Sequence, residues 1–312
     1  MSDTVASLRR KIDSAKDLQS VVRTMKALAA SNIGQYERSA RALADYYRTV
    51  ELGLAACFRG SEPAASTVGR DGRRDATVVG AVVFGSDQGL VGRFNEVVVD
   101  EAIKALGALS RKAGRAEVWA VGERVQARLA NAGLPLTGLF AVPNSVKAIA
   151  PLVGRMLVES EARHGGHEDT ELHLFYNRPT SGAVYAPVHQ RLLPLDQEWR
   201  RKLLERPWPT KTVPEVVGGG TSTVPAFLRE YLFVSLFRAC AESLASENAS
   251  RLAAMERADK NISDLLETLD GEFHRLRQSG IDEELFDVVA GFEALSKPRG
   301  RRGAKGVNRV KT

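Results

Sequence analysis

The chain has 312 residues, 44% hydrophobic and 26% charged, an ordinary globular composition with length for one large domain or two modest ones. Its formal charge of +6 is localised: the stretch from Lys297 to Thr312 carries seven Lys or Arg and no acid, leaving a body of 37 positive against 38 negative charges. That balance excludes an extended basic face for nucleic acid on the body and predicts a polar, disordered basic tail. Cys57 and Cys240 lie far apart without CxxC or Cys/His spacing, which excludes a disulfide framework or zinc site and fits a reducing cytoplasm. No apolar run approaches the ~18 to 20 residues of a spanning helix, and the start lacks a signal-peptide stretch. Membrane contact is therefore expected only through partners.

Proline divides the chain, because inside a helix it removes a hydrogen bond and clashes with the preceding turn. None precedes Pro63, ten lie from Pro135 to Pro225, and the next is Pro298. Two nearly proline-free arms thus flank a proline-rich middle, and as continuous helices each would reach roughly 85 to 105 Å. In the first arm Val5, Leu8, Ile12, Ala15, Leu18, Val22, Met25 and Ala29 recur at intervals of three and four. The stripe continues through Ile33, Tyr36, Ala40, Leu43, Tyr47, Val50, Leu54 and Cys57. Leu252, Met255, Ala258, Ile262, Leu265, Leu269, Phe273 and Leu276 repeat the pattern in the last arm. Narrow stripes flanked by charge predict a coiled-coil seam, and arms rooted in one central domain predict antiparallel pairing. Small residues (Ala15, Ala29, Ala40, Ala258) suit close approach. Gly34, Gly53, Gly271 and Gly280 are expected weak points at ~1 kcal/mol each, Gly280 marking a local break.

Between the arms, Ala76–Phe84 reads as a buried parallel strand, being β-branched and apolar throughout. A helix to about Leu109, a strand Glu117–Val121, a helix Glu123–Ala132, a strand near Leu136–Val142 and a helix Val146–Arg163 follow. Glu171–Asn177 and Tyr185–Leu193 read as a hairpin pair. The fold class is α/β: a long antiparallel coiled coil of the terminal helices plus a small doubly wound, Rossmann-like α/β domain. The expected division is 1–60 for the first shaft helix, 75–195 for the α/β domain, 196–223 for a loop, 224–295 for the last shaft helix and 296–312 for the tail.

The first βα turn, Gly85–Asn95, reads GSDQGLVGRFN. It lacks GxGxxG, no GxxxxGK[ST] loop occurs anywhere, and Ser86 is one place early for a GxSxG elbow. The turn is therefore read as structural, with no bound cofactor; the alternative is a coiled-coil adaptor whose α/β domain binds a nucleotide there. His164 and His167 flank two glycines without a supporting carboxylate pattern and read as solvated loop histidines.

Three segments carry a resemblance: LRRKIDSAKDLQSVVRTMKALAAS (Leu8–Ser31), the GSDQGLVGRFN turn, and ASENASRLAAMERADKNISDLLETL continuing into FHRLRQSGIDEELFDVVAGFEAL, which ends at Leu295. In this order they resemble the gamma subunits of F-type ATP synthases, over residues 1 to 295. The resemblance implies a non-catalytic central-stalk rotor that couples ion flow through a membrane c-ring to ATP synthesis or hydrolysis by asymmetric rotation. It implies partners in the alpha and beta subunits, the epsilon subunit and the c-ring. It places the chain peripherally, at the cytoplasmic face of a bacterial inner membrane, as the lack of a transit peptide also favours. Nucleotide and magnesium would stay on the partners.

Residue by residue, the resemblance puts Met25 on the family's shaft methionine facing the beta lever, with Arg23 and Lys26 beside it. Arg277 and Gln278 fall on an Arg-Gln pair contacting a loop of beta, and Glu247, Arg251 and Met255 on the C-terminal helix pattern. All eight are expected partner contacts. Ala27 for a second methionine, Val91 for a common Cys, Asp282 for a common Thr and the basic tail depart from the pattern. These departures suggest a divergent branch, such as the gamma subunit of an alternate ATPase.

Overall fold

The computed structural model describes residues 4–60, 78–109, 115–164, 170–180, 184–195, 197–212, 214–216 and 220–296; the basic tail from 297 and His167 lie outside them. The chain divides into two compact units, Met1–Val22 with Ala258–Thr312, and Arg23–Arg257.

Two long helices, α1 (Val5–Gly60) and α6 (Gly220–Ser296), contribute to both units. Along α1 the inward positions recur every seventh residue: Leu8, Ala15, Val22, Ala29, Tyr36, Val50 and Cys57 are all buried, with Leu43 half-buried. In α6, Met255, Ile262 and Leu269 keep the same spacing. In the first unit, Leu8 and Ile12 pack with Leu269 against Leu266, Phe273 and Leu276, and Gln19 Nε2 donates to Ser263 Oγ at 2.9 Å. The two helices therefore run antiparallel there. Three stripe residues are misplaced by the sequence reading: Val5, Leu18 and Leu265 are 39%, 54% and 49% exposed, and at Leu18 the seven-residue register gives the seat to the half-buried Gln19. Nor does α6 break at Gly280; the helix continues to Ser296, since a single glycine lowers helix stability by only ~1 kcal/mol.

The second unit holds the α/β fold. Strands β1 (Val78–Phe84), β2 (Arg115–Val121), β3 (Leu136–Phe140), β4 (Thr170–Arg178) and β5 (Ala186–Leu193) form one sheet in the order β3-β2-β1-β4-β5. All pairs are parallel except β4 with β5. Side chains alternate across the pleat. Val79, Ala81 and Val83 of β1, with Val118 and Ala120 of β2, face Val98, Val99, Ala102 and Leu106 of α2 (Phe94–Leu109) and Val125 and Leu129 of α3 (Glu123–Asn131). Val82, Phe84, Trp119 and Val121 point the other way, onto Ile149, Leu152, Val153 and Met156 of α4 (Val146–His164), Leu236 to Ala245 of α6, and Tyr36 of α1. Helices thus cover both faces, and α6 is itself one of the covering layers.

Residues 196–223, expected as a loop, contain a helix α5 (Gln197–Glu205), and α6 begins at Gly220 with Pro225 inside it. The clustered Pro207, Pro209 and Pro214 hide α5, whose Trp199 and Leu203 pack with Leu54 and Phe58 of α1 and Tyr231 of α6. Pro225, like Pro151 of α4, sits in the second turn of its helix, where one hydrogen bond is lost and the helix persists.

Gly53, expected as a weak point, is required by packing: a Cβ there would come within 2.3 Å of the Phe227 ring. Gly53→Ala should lower the unfolding free energy of the purified chain by about 1–3 kcal/mol through overpacking. Gly280→Ala, with nothing within 4 Å of its Cβ, should raise it by about 0.5–1 kcal/mol. Denaturant midpoints of the two variants, read by circular dichroism, check both signs.

Candidate functional site

The turn after β1 is the place where a doubly wound sheet would cradle an anion. Here the chain supplies its own. The Asp87 carboxylate accepts the backbone N–H of Glu123, the first residue of α3, at 2.9 Å and that of Val142 at 2.9 Å. Ser86, fully buried, donates its N–H to Asn95 Oδ1 at 3.0 Å, and Asn95 Nδ2 donates to Ser86 Oγ at 2.8 Å. Gly122 approaches so closely, at φ 114°, that a Cβ would lie 2.7 Å from the Ser86 carbonyl carbon. Leu90 takes φ 62°, a left-handed conformation that non-glycine residues seldom adopt. The N–H groups of Ser86, Glu123 and Val142 are thus bonded to Asn95 and Asp87, and these bonds lock the turn to its neighbours.

The expected contact residues separate by exposure. On α1, Arg23 is exposed, and Met25 and Lys26 are half-buried. Lys26 Nζ lies 3.9 Å from Glu256 Oε1 of α6, an exposed pair worth little. On α6, Arg277 and Gln278 are both exposed; they belong to the other unit. Glu247 and Met255, by contrast, are buried within the chain, at 5% and 2% exposed. Glu247 Oε1 accepts from Arg251 Nη2 at 2.7 Å. Burial pushes the Glu247 carboxyl up from its ordinary value, with Asp87 adding to the shift and Arg251 opposing it. Burial likewise raises the Tyr36 phenol and the Cys240 thiol, each with a contribution from Glu247. The resemblance could not separate these inward positions from outward ones; the seven-residue spacing of Met255, Ile262 and Leu269 does.

One surface escaped the sequence reading. Beyond Leu276, the last residue of the apolar cluster in its unit, α6 exposes Ile281, Leu285, Phe286, Val288, Val289 and Phe292. Phe292 is 74% exposed. The signal was present as an apolar run with no counterpart left on the first arm. Contiguous exposed apolar surface of this kind marks an interaction site.

The described residues match known proteins along nearly their whole length. A family model described as ATP synthase matches residues 4–295. The chain is 28% identical over 298 residues to an ATP synthase gamma chain of Nitrosomonas eutropha, covering 92% of this chain and 98% of that one. To an ATP synthase gamma chain of Legionella pneumophila it is 25% identical over 293 residues, with 92% and 98% covered. Among solved structures, a chain of the OSCP/F1/c-ring assembly of the Euglena gracilis mitochondrial ATP synthase has the same fold, with a TM-score of 0.59 at 16% identity, covering 97% of this chain and 99% of that chain. A chain of the central stalk and c-ring of the Tetrahymena thermophila enzyme gives 0.51 at 20% identity, covering 76% and 99%.

The buried ion pair predicts an asymmetric mutant series. Arg251→Met strands the Glu247 carboxylate and should cost about 3 kcal/mol, most of it recovered in Glu247→Gln/Arg251→Met. In the single variant the native state holds the Glu247 proton that the unfolded chain releases. Stability should therefore fall as pH rises through and above the ordinary Glu range. Urea titrations at several pH values check both the recovery and the slope.

Proposed function

Because this chain belongs to the ATP synthase family, we propose that its work is mechanical. It is a gamma-type subunit, a non-catalytic central-stalk rotor that couples ion flow through a membrane ring to ATP synthesis or hydrolysis on the alpha and beta subunits. The observation that carries the reading is the end of α6: a helix that leaves its antiparallel partner and presents Ile281, Leu285, Phe286 and Phe292 to solvent needs an apolar sleeve from other chains. Rotation matters because an asymmetric axle meets equivalent catalytic sites with different faces, and only differential contact shifts a conformational equilibrium.

The contact roles follow exposure. Met25, with Arg23 and Lys26, faces the beta lever; Arg277 and Gln278 reach a loop of beta. Glu247, Arg251 and Met255 hold these positions from inside. We place the functional parts at 1–60 and 224–295 for the axle and 75–195 for the domain that meets epsilon and the c-ring. Among the described residues no helix is long and apolar enough to cross a membrane, and the subunit is a peripheral part of a membrane complex. The cytoplasmic face of a bacterial inner membrane is the location that the bacterial relatives favour.

Three measurements test this. Mixed with the alpha and beta subunits of its own organism, the chain should be needed for assembly and for ATP hydrolysis that drives rotation; equal hydrolysis without it would end the reading. Met25→Lys should leave assembly intact and depress ATP-driven ion pumping in vesicles. Arg277→Ala should lower turnover roughly fivefold, the scale of an exposed contact worth about 1 kcal/mol. Unchanged pumping and turnover would remove these residues from the contact set.

A further inference from the structure

A rotor must pass torque between its axle and the domain fixed to it, and the second unit contains both: α6 through Arg257, and the sheet. The larger part of their contact is apolar. Leu236, Ala239, Cys240, Ala241, Leu244 and Ala245 lie in the core against one face of the sheet. Apolar burial holds surfaces together but is non-directional, so it resists separation better than it resists sliding or turning. Directional bonds are needed to hold register.

One lies within the apolar stretch, where Arg178 Nε of β4 donates to Glu242 Oε2 at 2.8 Å, and two more, from neutral hydroxyls, occur one step further along the helix. Ser246 and Ser250, one turn apart on α6 and both buried, donate to two separate segments at the C-terminal end of the parallel strands. Ser250 Oγ donates to the Val91 carbonyl at 2.5 Å, inside the locked turn after β1. Ser246 Oγ shares its proton between the Asn177 carbonyl of β4 at 3.0 Å and the Glu242 carbonyl of its own helix at 2.9 Å. Asn177 Nδ2 in turn donates to the Phe94 carbonyl at the start of α2, at 2.9 Å. The end of β4, the start of α2 and the βα turn are thereby tied to one another and to one face of α6.

The acceptors are stiff. The turn that carries Val91 is braced by the Ser86–Asn95 pair and by the Asp87 carboxylate. Both bonds lie off the axis on one face of α6, so each opposes turning of that face past the sheet, and their separation along the helix adds resistance to tilting. We propose that Ser246 and Ser250 are the positioning residues through which α6 grips the α/β domain against torque. The inference rests on the rotor reading and adds the place where the load crosses from helix to sheet.

The test uses the assembled alpha–beta complex containing this chain, with a bead attached to the α/β domain through Val158→Cys, an exposed site on α4. The native Cys57 and Cys240 are buried, so the label is selective. Ser250→Val and Ser250→Thr share a β-branched shape in the helix and differ in the hydroxyl, so their comparison isolates the bond. With Ser246→Ala added to the Val variant, rotation of a small, low-drag bead should match the parent. Rotation of a large, high-drag bead should fall to about half or less, because each lost hydroxyl raises the undocked fraction about fivefold. Ser250→Thr should rotate like the parent at both loads.

A parent complex that assembles but does not rotate defeats the rotor reading itself. With a rotating parent, equal rotation by the Val and Thr variants at high drag overturns the inference. So does slowing by the same factor at both drags, or failure to assemble, since each marks a merely structural role.

Discussion

The molecule depends on a seam that returns every seven residues. From Leu8 to Cys57 each seventh side chain of α1 turns inward, Leu43 only in part, and in each unit those residues meet α6 running the opposite way. A 3.6-residue helix keeps such a stripe on one line only if it winds with its partner, since a straight helix drifts by about 20° per heptad. The side chains along the seam set how close the helices come: Ala15 and Ala29 are small, and Gly53 allows the ring of Phe227 to lie where a methyl group would collide.

The sheet is attached to this pair, and α6 also serves as one of its covering layers. Helix, strand ends and turns meet around Ser246 to Arg251, where the buried face of α6 changes from apolar to polar. The Asp87 carboxylate belongs to the same region. It accepts from the N-terminus of α3 and from Val142 after β3, so the turn after β1 is anchored to the ends of two neighbouring strands.

Much of this was legible beforehand. The absence of proline and the spacing of apolar residues marked both arms, and the unbroken apolar run of β1 marked the sheet's centre. The register of the seam was harder to read, because Leu18 is apolar and Gln19 is not, while the geometry turns Gln19 inward and leaves Leu18 in water. Helix α5 was hidden by prolines that follow it closely; its amphipathic face has meaning only against Leu54, Phe58 and Tyr231, far away in the chain. The turn could be judged structural from its motif, but its brace could not be foreseen. Asp87 reaches Glu123 and Val142, residues joined to it only by the parallel sheet. Among the eight contact positions, sequence likeness grouped Glu247 and Met255 with exposed neighbours, because likeness does not record which way a side chain points.

The antiparallel pairing also sets the order in which the chain can be made. Leu8 leaves the ribosome about 260 residues before Leu269, the side chain against which it packs. At roughly 5–20 residues per second, the first helix waits tens of seconds with its apolar stripe uncovered. The sheet can close on β1 to β5 during that interval, but the seam cannot. The newborn protein therefore passes through a long stage as a folded domain trailing an unpaired amphipathic arm, with the hazards of high contact order. The polar residues that flank the stripe serve solubility then, well before any partner is met.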